Sequence, residues 1–274
     1  MTWIPGTLGL TSEQVDGLLV TAGRAPAAHD GLPWRFRVTG RVIELYAVVD
    51  RAPPVADPDG RAQRMACGAA LFNLRLALHG HHIRPIVTLL PDRGRPDLLA
   101  VVRNGGTKEP TPEQTRLLLA VPAQRADRHP FGTAAVSLPE RHGLRRAALA
   151  EGAWLHIVDD RPQRAALWTL VLRAERLQGA HAGSRAALDA SGAVAAEETL
   201  VALLTSHVPG STAEVQIGQA LQRILLTATA AGLATSVLRQ VVAVPQTREE
   251  LRRLIGGARP PQAVLRVGHG RPAA

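Results

Sequence analysis

The feature that most constrains this fold is an internal repeat with a spacing of 150 residues. Residues 68–87 align with residues 218–237, with glycine at the first position of both segments. In each segment apolar residues recur at three- and four-residue spacing, the pattern of a helix with one buried face. The period is too long for a solenoid. The repeat therefore predicts a duplicated half-domain, equivalent to a dimer fused into one chain, with halves at residues 1–123 and 124–274.

Local signals predict helices and strands in both halves. Besides the two repeat helices, four helices are expected to start at the capping residues Thr11, Thr111, Ser137 and Thr247. A further helix is expected over residues 162–177. The expected strands are residues 34–38, 42–46, 84–90, 98–103, 154–158 and 263–267. Residues 179–196 are small and weakly patterned, and we expect loop or poorly ordered helix there. Helices that flank short, mostly non-consecutive strands are typical of the α+β class.

The composition excludes several classes of protein. With 46% hydrophobic and 20% charged residues, the chain is not intrinsically disordered. Aromatic residues make up only 3%, and the net charge of +9 is not clustered, so we expect no nucleic-acid partner. No run approaches the roughly 20 apolar residues that span a bilayer, so no membrane partner is expected. The single cysteine, Cys67, cannot form an internal disulfide, which favours a cytoplasmic location.

Common catalytic motifs are absent from the sequence. It contains no glycine-rich dinucleotide fingerprint, P-loop, zincin or nucleophile-elbow motif. The only histidine cluster is His79, His81 and His82, and no carboxylate or cysteine spacing completes a metal site around it. We expect these histidines at the end of the first repeat helix, where an imidazolium would suit the helix dipole. A second histidine-containing segment, Gly268-His269-Gly270, is expected to form a turn.

The most distinctive segment is residues 22–36, AGRAPAAHDGLPWRF. It predicts the end of a helix, a loop of small residues bounded by two prolines, and the start of a strand. Small residues allow backbone N–H groups to approach a flat ligand, and prolines stiffen the loop. By itself the segment is equally consistent with an ordinary connection between a helix and a strand.

Taken together, several segments resemble the nitroreductase superfamily. The loop segment is similar to its A-P-S-x-x-N-x-Q-P-W-x-F motif. Residues 57–61 and 67–71 resemble the Acg-like branch, which consists of actinobacterial flavin-binding proteins with two fused nitroreductase-like halves. Residues 125–131 resemble the R-x-x-R-R-P-F motif of that branch, and residues 218–222 and 265–268 also match. The resemblance covers nearly the whole chain in order.

The resemblance implies a nitroreductase-like fold, in which long central helices flank mixed sheets, and one FMN at the junction of the halves. The FMN-binding residues that it implies are Pro26, Ala27, Ala28, Asp30, Arg125, Arg128, His129, Leu238, Arg239 and Gln240. Guanidinium groups suit a phosphate dianion, which agrees with the two arginines of the second-half motif. Reduced flavin would pass electrons from NADPH or NADH to a small acceptor, without a catalytic side chain. The internal dimer interface makes a monomer plausible.

The chain also departs from the family pattern. Ala27, Asp30 and Leu32 stand where the family has Ser, Asn and Gln, and the segment between Leu177 and Glu197 is shorter than the one that carries a lid in Acg-like proteins. Losing polar side chains weakens flavin binding by roughly 1 kcal/mol for each hydrogen bond. Two functions therefore remain open: a flavin-dependent oxidoreductase, and a non-catalytic protein that binds or sequesters flavin.

Overall fold

The computed structural model describes residues 6–27, 31–48, 57, 59–124, 131–132, 134–177 and 199–270. Its contacts divide the chain into two compact units, the first made of residues 1–123 and 210–226 and the second of residues 124–209 and 227–274. Each unit contains helices and one four-stranded antiparallel sheet. The expected α+β class is confirmed.

The first unit begins with a capped helix and a β-hairpin. Its elements are α1 (Ser12–Gly23), β1 (Trp34–Val38), β2 (Val42–Ala47), α2 (Arg61–Gly80), β3 (Ile83–Leu89), β4 (Leu98–Thr107) and α3 (Pro112–Ala120). Residues 211–226 of a long helix later in the chain complete the unit. The strand order is β1-β2-β4-β3. Leu18, Leu71, Leu74 and Leu78 are fully buried in its main core.

The second unit repeats this topology. Its elements are α4 (Leu138–Ala150), β5 (Trp154–Ile157), α5 (Arg161–Leu177), β6 (Leu200–Thr205), the end of α6 (Ser211–Ala230), β7 (Leu233–Leu238), α7 (Gln240–Ala243), α8 (Pro245–Leu254) and β8 (Pro261–His269). The strand order is β5-β6-β8-β7, which is the order of the first sheet with each number raised by four. In both units a repeat helix directly precedes the third strand of that unit: α2 precedes β3, and α6 precedes β7. The duplication expected from the sequence is thus present in the topology of the strands.

Polar contacts join the two repeat helices within the first unit. Arg64 Nε on α2 lies 2.5 Å from Glu214 Oε2 on α6. Gln222 Nε2 donates to Asn73 Oδ1 at 2.8 Å in a buried position. A hydrogen bond between two buried amides satisfies groups that would otherwise be left without a partner in the core. These contacts fix how α2 and the first part of α6 pack.

The predicted caps are correct where their contacts are local. Thr11 with Gln14, Thr111 with Gln114, and Ser137 with Glu140 all form reciprocal capping boxes. Thr247 does not cap a helix. Helix α8 starts at Pro245, and the buried Thr247 hydroxyl instead donates to a backbone carbonyl, with Val241 O at 2.8 Å and Val244 O at 3.1 Å.

Three further expectations differ from the structure. Every described strand pairing is antiparallel, so the sheets are not mixed. Strand β6, Leu200–Thr205, is absent from the predicted strands, although it pairs with both β5 and β8. Strand β8 extends through His269, where a turn is expected, because Leu233 and Ala234 pair with its last two residues. Residues 179–196 lie outside the described part of the chain.

The histidine cluster lies at the end of α2, as expected, but His79 does not favour the charged form. Burial, together with the charges of Arg75 and Lys108, lowers the pKa of His79. His82 Nδ1 lies 3.0 Å from Glu109 Oε1. The described residues hold no group of three or more His, Cys, Asp or Glu side chains suited to a metal ion. Nor does any helix among them have the length and apolar character needed to cross a bilayer.

Candidate functional site

The small-residue loop starts at the end of α1 in the first unit. Ala25 is buried and its N–H donates to Ala22 O, which extends the last helical turn. Pro26 and Ala27 are half-buried, and Ala27 packs against the main core. At the other end of the loop, Gly31 has a φ of 89°, a conformation that side chains disfavour. Ala27 therefore lies against the core at one end of the loop, and the backbone conformation at the other end is one that glycine permits.

The carbonyl oxygen of Pro33 anchors the return of this loop. It accepts hydrogen bonds from Val48 N at 3.1 Å and from Gln63 Nε2 at 3.2 Å. The Cys67 Sγ lies 3.7 Å from the same oxygen. Gln63 Nε2 also donates to Val48 O at 2.7 Å. Three groups, one from Val48 and two from residues of α2, thus converge on one carbonyl oxygen, and the start of β1 is held firmly beside the first turns of α2.

The first turn of α2 is capped by a carboxylate from the preceding loop. Asp57 is buried and accepts from Ala62 N at 3.0 Å and from Gln63 N at 2.9 Å. Because a helix N-terminus attracts negative charge, this carboxylate suits the position. It also occupies the two amides that an anionic ligand would need. The Asp57 segment of the family resemblance therefore has a structural role, which is to start the long helix beside the loop.

The second predicted cofactor segment follows β7 in the second unit. Leu238 is buried and ends the strand, and Arg239 leaves it in a helical conformation with φ of −80° and ψ of −33°. The Arg239 carbonyl accepts from Val242 and Ala243, so the chain turns at once into α7. Burial lowers the pKa of the Arg239 guanidinium. Gln240 is half-buried at the start of the short helix. The segment places a partly desolvated positive charge directly after the third strand.

Of the ten predicted cofactor residues, five are described, and these belong to two different units. Pro26 and Ala27 belong to the first unit, whereas Leu238, Arg239 and Gln240 belong to the second. The other five lie outside the described residues: Ala28, Asp30, Arg125, Arg128 and His129. Sequence reasoning missed Gln63, whose amide ties the loop to β2 and α2. No local pattern identifies such a residue, because its partners are 15 and 30 positions away.

Curated relatives extend over nearly the whole chain. A Mycobacterium tuberculosis protein designated a candidate NAD(P)H nitroreductase is 28% identical over 298 residues, which cover 94% of this chain and 85% of the relative. The candidate NAD(P)H nitroreductase Acg from the same organism is 25% identical over 303 residues, covering 97% and 91%. An uncharacterized protein of that organism is 27% identical over 299 residues, covering 93% and 87%. This chain is similar to the Acg-like nitroreductases. The resemblance to the nitroreductase superfamily is confirmed.

Solved nitroreductases also overlay on this chain. A nitroreductase with bound FMN from Desulfitobacterium hafniense aligns with 58% of this chain and 91% of its own, at 15% identity and a TM-score of 0.47. The NADPH:FMN oxidoreductase from Vibrio harveyi, complexed with NAD+, aligns with 57% and 70%, at 15% identity and a TM-score of 0.42. Overlays at this level place no ligand in the present chain. No family model matches the sequence.

Proposed function

We propose that this chain is an FMN-dependent oxidoreductase that takes electrons from NADPH or NADH and passes them to a small acceptor. The observation that carries the proposal is the sequence similarity to a candidate NAD(P)H nitroreductase over 94% of the chain. The alignment also covers 85% of that relative's own length, which supports the proposal further.

Two features of the described residues support the proposal, one of charge and one of shape. Arg239 brings a half-buried guanidinium to the segment implied to approach the isoalloxazine ring, and burial lowers its pKa. A positive charge there favours an anionic partner, because the guanidinium remains protonated in proteins. Pro26 and Ala27 present a stiff backbone with small side chains, which permits close contact with a planar ring. Both features suit recognition of a flat, anionic cofactor.

The protein groups in this proposal bind and orient rather than react. Bound FMN supplies the hydride and electron chemistry. Arg239 would offer its positive charge to an anionic group of the cofactor, and the Pro26–Ala27 backbone would contact its planar ring. The implied phosphate ligands are Arg125, Arg128 and His129, which would bind a dianion through charge-assisted hydrogen bonds. The proposed site requires no general acid or base from the chain.

A reconstitution experiment tests this function. The purified protein is incubated with FMN, freed of excess ligand by gel filtration, and examined for a flavin spectrum. Anaerobic addition of NADPH or NADH is then followed at the flavin absorbance, before and after a quinone or nitroaromatic acceptor is added. Stoichiometric flavin, bleached by a nicotinamide and restored by the acceptor, supports the oxidoreductase. Protein that retains no flavin contradicts it.

The loop supports a second candidate, a protein that binds flavin without turnover. Ala27 and Leu32 offer no side-chain hydrogen bonds where the family has Ser and Gln, and Leu32 is 47% exposed. The described part of the loop can therefore contribute backbone groups only. In the same experiment, this candidate predicts bound flavin that NADPH and NADH fail to reduce, while dithionite reduces it fully.

A further inference from the structure

Inside the second unit lies Arg266, an arginine that forms no ion pair with any carboxylate among the described residues. Arg266 is on the central strand β8, where it pairs with Val201 of β6 and Ser236 of β7. Its neighbours on the strand are buried apolar residues, and Arg266 itself is only 6% exposed. An arginine is rarely buried to this extent unless an opposite charge accompanies it.

Two aromatic rings hold the Arg266 guanidinium in place. Its Cζ atom lies 4.9 Å from the centre of the Phe131 ring and 5.6 Å from the centre of the Trp168 ring. Gly268 makes room for the first ring, since a Cβ at that position would lie 3.1 Å from Phe131 Cβ. Rings on a guanidinium face restrict its motion while the N–H groups at its edge remain available for hydrogen bonds.

One hydrogen-bonding edge of this guanidinium is unused. Arg266 Nε and Nη2 are both buried, and neither has a hydrogen-bond partner within the described chain. These two nitrogens form the side of the fork that binds a carboxylate or a phosphate through two parallel bonds. Trp168 Nε1, another buried donor on the adjacent ring, also has no acceptor there. Burial lowers the pKa of Arg266, yet a guanidinium remains charged.

We propose that Arg266, which lies against the rings of Phe131 and Trp168, binds an oxyanion, with a phosphate group as the preferred ligand. Three buried donors that have no acceptor among the described residues match a group that carries several strongly accepting oxygens. A neutral ligand would satisfy the donors but would leave the buried charge uncompensated. The inference does not depend on the proposed flavin chemistry, because phosphate is a ligand that can be tested alone. The phosphate group has two possible sources, a free phosphate ion and the phosphate of a nucleotide such as FMN.

A purely structural arginine predicts different behaviour. In that case Arg266 fills space between the rings, and the protein gains no specific stability from phosphate. If Arg266 binds an anion, phosphate should stabilise the original protein. The variant Arg266→Met keeps the length of the side chain but removes its charge, and it should lose this stabilisation. Arg145, an exposed residue of α4, provides a matched control through Arg145→Met.

Thermal unfolding of the flavin-free protein in phosphate tests the proposal, with sodium chloride at equal ionic strength as the reference. The expected result is a saturable rise in Tm for the original chain and for Arg145→Met, and no rise for Arg266→Met. Isothermal titration with inorganic phosphate should show one site that is weakened at least tenfold by Arg266→Met. Acetate in place of phosphate should give a smaller rise.

Controls separate folding from binding and identify the source of the phosphate. Arg266→Lys retains the charge but loses the two-pronged edge, so it should bind phosphate more weakly than the original chain and better than Arg266→Met. If FMN displaces phosphate and riboflavin does not, the site binds the phosphate of a nucleotide. If FMN leaves phosphate binding unchanged, the site binds the free ion. Equal phosphate responses in the original chain and Arg266→Met, or no response in the original chain, overturn the proposal. Failure of FMN binding alone leaves the phosphate result intact and counts only against the flavin function.

Discussion

Gly68 and Gly218 are in direct contact, and each occupies the equivalent position of its own repeat. A Cβ on Gly68 would lie 2.1 Å from Val215 O and 3.0 Å from Gly218 Cα. A Cβ on Gly218 would lie 2.0 Å from Met65 O and 2.9 Å from Gly68 Cα. Met65 and Val215 are themselves equivalent positions, so the contact is reciprocal. Helix α2 and the first part of α6 therefore cross with local two-fold symmetry, which is the packing expected of a duplicated half.

Replacing either glycine by alanine should destabilise the protein. Gly68→Ala and Gly218→Ala each force a methyl group into a backbone carbonyl, and overpacking of this kind costs about 1–3 kcal/mol or more. We expect a lower urea midpoint for both variants. Gly17→Ala in α1 is the control, because no atom lies within 4 Å of its added Cβ and alanine favours a helix by roughly 0.5–1 kcal/mol. Similar midpoints for all three variants would contradict the close crossing.

The ion pair beside this crossing should show measurable coupling. Arg64 Nε and Glu214 Oε2 are 2.5 Å apart, and their side chains are 22% and 12% exposed. A double-mutant cycle with Arg64→Met and Glu214→Gln should give a coupling free energy of about 1–2 kcal/mol, because solvent screens a half-buried pair only in part. Additive effects in urea unfolding would mean that the pair contributes nothing. The exposed pair Arg95–Asp92 offers a comparison in which we expect much weaker coupling.

The sequence predicts the parts of this fold that depend on local signals. The capping boxes at Thr11, Thr111 and Ser137 are correct because each is completed by a residue three positions away. Strand β6 is absent from the prediction, and all six of its residues are buried. A strand covered on both faces has no alternation of polar and apolar residues, and a short apolar run is then ambiguous between helix and strand.

The site was predictable only in its outline. The sequence resemblance implies that the loop around Pro26 and the segment ending at Gln240 contact the cofactor, and both assignments stay predictions. It could not reveal the hydrogen bonds of Gln63 or the burial of Arg266, because both depend on residues that are far apart in sequence. The Arg266 segment appeared only as a match to a motif. Only the structure shows that Phe131 and Trp168 lie against the guanidinium and that two of its nitrogens have no hydrogen-bond partner among the described residues.

Thr247 should contribute to stability through its hydroxyl group rather than as a helix cap. The hydroxyl is fully buried and lies 2.8 Å from Val241 O. Thr247→Val keeps the shape and leaves that carbonyl without its donor, at a cost of about 1–3 kcal/mol. Thr247→Ser retains the donor and should lose less stability, which urea unfolding can resolve. If Thr247 acted only by filling space, the valine variant would be at least as stable as the serine variant.

Arg125 remains a sequence-based prediction, since it lies outside the described residues. Its motif implies contact with the FMN phosphate. Arg125→Ala should weaken FMN binding by about 1.5–3 kcal/mol, the range for a hydrogen bond to a charged group. Flavin fluorescence titration measures this, and riboflavin, which lacks the phosphate, should bind the variant and the original chain equally. A loss that is the same for FMN and riboflavin would exclude a phosphate contact.

The buried thiol of Cys67 should produce a distinctive loss of stability at alkaline pH. Burial raises its pKa from the ordinary value of 9.0 to about 12, although Arg64 acts in the opposite direction. The folded thiol therefore stays neutral at pH values where the unfolded thiol ionises. Its contribution to folding is complete below pH 9.0 and declines as pH rises toward about 12.

Few other groups obscure this effect, because the chain has one cysteine, one tyrosine and a single lysine, Lys108. The free energy of unfolding should fall above pH 9 with a slope that approaches about 1.4 kcal/mol per pH unit. Cys67→Ala should be less stable at pH 7, from loss of packing, but should show a flatter dependence above pH 9. At pH 8 the folded chain should resist iodoacetamide and react fully once unfolded. Parallel pH profiles for the two proteins, or rapid alkylation of the folded chain, would show that the thiol is accessible to solvent.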